Sequence, residues 1–270
     1  RRCCRHILTQ QSGAWHTVKT VLQLSFRGSA YSGWQVQPNA VSVQKTVQDA
    51  VEAVLEHDVK LTGCSRTDAG VHANAYICHL DCEAHIPCDR LPYAISRLLP
   101  DDISVDRAWL ADDDFHSRYS AKGKEYMYLI WNSRLKNVFY TDTALKWVHH
   151  IDIDAFNAVG SDFVGTHDFA AVRSVGTDVK STVRTVYYYK IEREGDLISL
   201  RVCANGFLYN MARAMAGTCV YAAEGKFPPE SVAEILERGD RKAAGPTVPP
   251  GGLYMTQLWY DDGKAVFHVG

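Results

Sequence analysis

The sequence contains no apolar run near the roughly 20 residues that a membrane-spanning helix needs. Its first residues, RRCCRHILTQQSGAW, have neither the apolar core nor the cleavage-like site of a secretory leader. Residues 1–16 are therefore expected to be a disordered lead-in, and the cytoplasm is the expected setting, with no membrane partner. GxSxG, GxxxxGK[ST] and GxGxxG are all absent, which removes sequence support for a nucleophile-elbow hydrolase, a P-loop nucleotidase or a dinucleotide-binding enzyme. Net charge is also nearly absent, at -2, so a polyanionic partner has to be argued from local charge. Cysteine is not scarce. Eight are present, and without an export signal they read as free thiols in a reducing compartment.

What is present suits a folded protein: 270 residues, 46% of them hydrophobic, are enough for a sizeable core. Charge is unevenly spread. Residues 81–114 carry nine acids against three basic residues, whereas 115–140 carry five basic residues (Arg118, Lys122, Lys124, Arg134 and Lys136) and one acid, Glu125. Such blocks fit either an ordinary solvated surface or a molecule with one basic, RNA-binding side.

Periodicity gives the elements. Alternation over Thr17–Phe26 predicts a strand, and Ser42 is placed to cap a helix running to about Glu56. Strands are expected at Val59–Cys64, from the following turn to about Leu80, and at Ile103–Leu110, Glu125–Trp131, Thr182–Glu192, Leu197–Ala204 and Leu253–Tyr260. Helices are expected at Leu91–Leu99, Asp152–Val159, Phe207–Ala223 and Pro229–Arg238. Strands that adjoin both strands and helices imply an α+β fold, with a largely antiparallel mixed sheet and flanking helices. Two lobes are expected, at residues 17–115 and 116–270.

Three segments can carry chemistry. In SRTDAGVHA, Ser65–Ala73, Arg66 and Asp68 are two apart and can face one site from an extended loop, and Gly70 permits a sharp bend. Read alone, Asp-Ala-Gly between strands is an ordinary turn. In FHSRYSAKGKEYMYLI, Phe115–Ile130, aromatic and basic residues interleave, as RNA binding by stacking and phosphate contact requires, although an edge strand is equally compatible. In the predicted helix NGFLYNMARAMAGTCV, Gly206, Asn210, Arg213 and Gly217 share one face, and Leu208, Met211, Met215 and Cys219 share a core face. The small residues around Arg213 would let something approach closely. The cluster Cys78, His79, Cys82, His85 and Cys88 matches no common zinc spacing, so no metal is expected.

Taken together, and in order, YSGWQVQP with SVQ, SRTDAGVHA, LPDDISV, FHSRYSAKGKEYMY, GTHDFAAV, STVRTV, GFLYNMARAMAGT and AGPTVPPGGLYM resemble the TruA family of tRNA pseudouridine synthases, over about residues 17–261. Ser65 stands where family members often have Gly, and Lys124 and Glu125 stand where some have two arginines. The resemblance implies the pseudouridine synthase fold and an isomerase that converts uridine to pseudouridine in the tRNA anticodon stem-loop, typically at tRNA positions 38, 39 and 40, without a cofactor. It implies that Asp68 is the catalytic carboxylate and that Tyr126 stacks on the uracil, with its hydroxyl assisting proton transfer from C5. It implies further that Arg66 holds out the everted base, that Arg213 pairs with Asp68 and lowers its pKa, and that the protein is a homodimer whose tRNA spans both subunits. Arg118, Lys122, Lys124 and Arg134 are expected along the RNA backbone. Two other readings remain at this point: a non-catalytic tRNA-binding or RNA-folding module on the same scaffold, and a zinc enzyme built on Cys78–Cys88.

Overall fold

A computed structural model describes residues 17–83, 86–176, 179–228 and 231–260. The expected lead-in, residues 1–16, lies outside the described residues. Strand β1 (Thr17–Phe26) is followed by helix α1 (Val43–Leu55), whose N-terminus is capped as the sequence indicates: Ser42 Oγ accepts from the Lys45 N–H at 3.3 Å. Val43, Val47, Ala50, Val51 and Leu55 form its buried stripe, at helical spacing. Then come β2 (Thr62–Gly63), β3 (His72–Glu83), α2 (Leu91–Ser96), β4 (Ile103–Ala111) and β5 (Ala121–Asn132). The rest comprises β6 (Leu145–Trp147), α3 (Ile153–Asp162), β7 (Gly165–Asp168), β8 (Val183–Glu194), β9 (Leu197–Ala204), α4 (Met211–Ala223), α5 (Ser231–Arg238) and β10 (Leu253–Tyr260). Asp152 caps α3, its Oδ1 accepting from the Asp154 and Ala155 N–H groups.

The strands form one sheet in the order β4-β1-β3-β10-β5-β9-β8-β7, with β2 added on β3 and β6 on β5. All pairings are antiparallel except β10 with β3 and β5 with β6. The fold is α+β, as expected. Strands β1–β4 lie on one side of β10 and β5–β9 on the other, so the last strand joins the two halves of the chain. Alternation along β5 sends Tyr126, Tyr128 and Ile130 into the core, and sends Glu125 to the opposite face. There Glu125 pairs with Arg201 at 3.3 Å and accepts from the Tyr188 and Thr256 hydroxyls. Neighbouring Lys124 and Glu125 thus serve different faces.

Three expectations need correction. The strand expected over Val59–Cys64 contracts to the two residues of β2, because most of that segment runs as irregular chain into the following loop. The helix expected from Phe207 begins at Met211. Asn210 sits at φ 60°, a left-handed conformation that breaks the helical ladder, so Gly206 is not on the helix at all. The short strands β6 and β7 went unread, being too brief to show alternation. The expected start of the last helix, residues 229–230, lies outside the described residues.

Candidate active site

The loop between β2 and β3 carries Arg66 and Asp68, and its path is imposed by neighbours that leave no room for a side chain. Gly33, at φ +91°, packs so tightly that a Cβ there would lie 2.3 Å from the Thr67 carbonyl oxygen, and the Trp34 N–H donates to that same oxygen at 3.2 Å. The Gly70 N–H donates to Tyr31 O, and the Val71 N–H to Asp68 O, each at 3.2 Å. Gly70 itself takes φ +79°. This explains why YSGWQ and SRTDAG belong together: the first is the cradle of the second. His72, fully buried, fixes the far end of the loop. Its Nδ1 accepts from the Gly28 N–H at 2.9 Å, and Nε2 donates to Asp142 O and Gly251 O at 3.2 and 3.0 Å. Burial lowers the His72 pKa, in keeping with a neutral ring that accepts at one nitrogen. The role of the His72 imidazole is therefore structural.

Asp68 meets Arg213 of α4, with Oδ2 3.4 Å from Nη1. The guanidinium is held from two further directions: Nε donates to Val248 O and Nη1 to Asn210 Oδ1, both at 2.8 Å. Asn210 is in turn tied to Ser174 Oγ by its amide nitrogen. Burial is the largest influence on the Asp68 pKa and raises it above the ordinary 3.8; the charge and hydrogen bond of Arg213 act in the expected, lowering direction but only partly offset this. The small-residue face of α4 does admit a close neighbour, as expected. A Cβ at Gly217 would lie 1.9 Å from Pro246 O, and one at Gly245 would lie 2.4 Å from Gly217 O. What approaches closely is the protein's own AGPTVPPGG loop, which delivers Val248 O to Arg213.

Asp68 and Arg213 open onto a cleft of about 620 Å³, the size range of a pocket that buries a nucleotide-sized ligand. Tyr126 lines it, its ring edge-on to Phe207 at 4.8 Å. Burial pushes the Tyr126 pKa above its ordinary range, so the hydroxyl stays protonated and is no base in its own right. Arg66 lines the cleft and is exposed. Of the four backbone-binding candidates, Arg118 and Lys124 reach the cleft. Lys124 is not a surface cation, however: its Nζ donates to Cys64 O at 2.6 Å, and burial lowers its pKa. Lys122 is exposed beside a separate hollow lined by Tyr187, Tyr188 and Trp259. Arg134 follows Asn132, at the end of β5 remote from the cleft, and is not brought to it. Arg184, Tyr119, Phe207 and Tyr209 also line the cleft, and the motifs STVRTV, FHSRYS and GFLYN contain them without marking them out individually.

Among the described residues, the cleft lining holds five cationic side chains (Arg66, Arg118, Lys124, Arg184 and Arg213) and one carboxylate, Asp68. A chain of net charge -2 thus concentrates positive charge at this one opening. No group of three or more His, Cys, Asp or Glu among the described residues is placed to hold a metal ion. Cys78 and Cys82 are buried free thiols in β3, His79 binds Ser117, and His85 lies outside the described residues. No helix among the described residues is long and apolar enough to cross a membrane.

The family model described as tRNA pseudouridine synthase matches residues 23–120 and 160–261, spans that contain the loop bearing Arg66 and Asp68, Tyr126's neighbours in the cleft, and Arg213. The chain belongs to that family. A protein named tRNA pseudouridine synthase A from Ruminiclostridium cellulolyticum is 41% identical over 243 residues, covering 90% of this chain and 99% of its own. The protein of the same name from Thermoanaerobacter sp. is 42% identical over 244 residues (89% and 98%), and that from Bacillus subtilis is 38% identical over 245 (88% and 98%). A solved archaeal box H/ACA Nop10–Cbf5 complex is 15% identical with a TM-score of 0.37, covering 84% of this chain and 59% of that one.

Proposed function

We propose that the protein isomerises uridine to pseudouridine in the anticodon stem-loop of tRNA, at positions 38, 39 and 40, with Asp68 as the nucleophile. The observation that carries this reading is the single carboxylate of a cationic cleft, held beside a guanidinium that three acceptors keep in place. Membership of the tRNA pseudouridine synthase family supports the reaction and the RNA substrate.

The reaction is an internal rearrangement. The C1′–N1 bond breaks, the uracil turns within the pocket, C5 bonds to C1′, C5 loses a proton and N1 gains one. Every atom of the product comes from the substrate, so the balance calls for no co-reactant. A carboxylate nucleophile must be ionised; Arg213 favours that state against the pull of burial. Asp68 adds to C1′ or to C6, or removes the C2′ proton as the uracil leaves to give a glycal, and each route needs the ionised carboxylate. The target base must first leave its stack, at a cost of a few kcal/mol. Tyr126 in the cleft wall receives the uracil face, and exposed Arg66, two residues from Asp68, holds the base out or fills the gap it leaves. A protonated Tyr126 hydroxyl assists the C5 proton transfer only by way of a neighbouring acceptor. The division into lobes 17–115 and 116–270, and a homodimer with tRNA spanning both subunits, belong to the same proposal.

The test is a chemical map of pseudouridine in unmodified tRNA after incubation with the purified protein. Modification at 38, 39 or 40 is expected. Modification confined to other parts of the tRNA would overturn the stem-loop assignment, and none at all would overturn the reaction.

A further inference from the structure

Tyr119 is a large aromatic residue on the cleft lining, yet 74% of it is exposed. An exposed ring is ordinarily mobile, but this one is anchored. The His116 imidazole lies against it, ring centroids 4.4 Å apart and planes 36° from parallel. His116 also shapes the turn, because its Nδ1 accepts from the backbone N–H of Arg118 at 3.1 Å and from that of Tyr119 at 3.3 Å. Beneath it, His116 meets His79 at 4.9 Å, and His79 is buried and bound to Ser117. The three rings form a column that starts in the core and ends on an open aromatic surface at the cleft. The Arg118 guanidinium lies over the Tyr119 ring, 5.6 Å from its centroid, so a cation stands beside the aromatic surface.

A run of ring contacts, edge-on between His79 and His116 and tilted between His116 and Tyr119, stops at solvent beside a cationic cleft, and its last ring is free to receive one more flat, π-faced group joined to an anion. We propose that Tyr119 is a stacking platform for a second nucleobase, one that flanks the reacting uridine, and that Arg118 binds that nucleotide's phosphate. The platform rests on the proposed tRNA substrate but is separate from the chemistry. It contributes affinity and positions the strand, and it leaves the reacting atoms untouched. Because rings of any base can stack, it tolerates sequence variation next to the target. His116 is its positioning residue.

The test uses the full chain and synthetic anticodon stem-loop RNAs carrying 2-aminopurine at each nucleotide near the target uridine in turn. Wild-type protein is expected to quench one flanking position. Tyr119→Ala is expected to lose that quench and to raise KM between about five-fold and about a hundred-fold, the scale of one lost base–aromatic stack, with kcat unchanged. Tyr119→Phe is expected to behave as wild type, since the ring acts and the hydroxyl does not. A Tyr119→Ala variant with wild-type KM, a quench that survives it, or a Tyr119→Phe variant that fails like Ala would overturn the inference. Wild-type protein that isomerises the RNA while Tyr119→Ala matches it sinks the platform alone; wild-type protein that neither binds nor isomerises the RNA sinks the parent reading as well.

Discussion

At the residue scale, Asp68 sits between two opposed influences, burial and Arg213, and burial prevails. Its folded pKa is raised, so protonation on acidification comes above pH 3.8, the ordinary value, and the acid limb of kcat/KM should lie above that value. Arg213→Gln removes the offsetting charge. The limb should then move to still higher pH, and kcat/KM at neutral pH should fall roughly ten- to a hundred-fold, the worth of a hydrogen bond to a charged group. A pH–rate profile whose acid limb stays in place in Arg213→Gln would remove the guanidinium from control of the carboxylate. His79 supplies an independent check. Burial, with help from neighbouring His116 and Lys19, lowers its pKa from 6.5 to about 4. The unfolded chain therefore takes up this proton first. The stability that neutral His79 provides is complete above pH 6.5 and is lost as pH falls toward 4. Thermal melts should show that loss, and His79→Gln should flatten it. Asp68, Arg66, Tyr126 and Arg213, named through the family resemblance, are brought to one cleft. Tyr119 and Arg184 were hidden because a surface tyrosine and a strand arginine look ordinary until a cleft wall is seen behind them.

At the element scale, the site is an arrangement of loops clamped on rigid pieces. The SRTDAG loop is gripped by the Gly33–Trp34 turn, and Arg213 by the loop that runs from Gly245 to Pro249 across α4. Gly217 is the contact point on the helix. Gly217→Ala would push a methyl group into Pro246 O, so the loop must shift and Val248 O must leave Arg213. Overpacking of this kind costs about 1–3 kcal/mol of stability. Activity at a temperature well below the melt should fall by a larger factor than the stability loss explains, as kinetics and calorimetry on one preparation would show; equal losses would mean that the loop does not position Arg213. Strand and helix positions were mostly readable from alternation and caps, as α1, α3, β9 and β10 illustrate. The start of α4 was not, because the left-handed Asn210 lies inside a stretch whose apolar spacing continues as if the helix began four residues earlier. Nor could spacing reveal that the helix's small residues receive a loop rather than a ligand.

At the scale of the whole molecule, a nearly neutral chain builds a cationic cleft by joining its two halves through β10. The basic blocks in the sequence anticipated the sign of the charge but not its location, since Arg134 and Lys122 lie in the same block as Arg118 and are elsewhere in space. Arg66, Arg118 and Arg184 form no ion pair among the described residues. If each meets a phosphate, log K for stem-loop RNA should fall against log salt with a slope of about -2 to -3, and Arg184→Ala should reduce its magnitude by roughly 1. An unchanged slope would place Arg184 away from the RNA. The most direct measurement of the central claim compares Asp68→Asn with wild type for tRNA binding and for pseudouridine formation in the same tRNA. The account predicts that the variant keeps wild-type affinity within a few-fold and forms no detectable pseudouridine, whereas a variant that modifies the tRNA at the wild-type rate would contradict it.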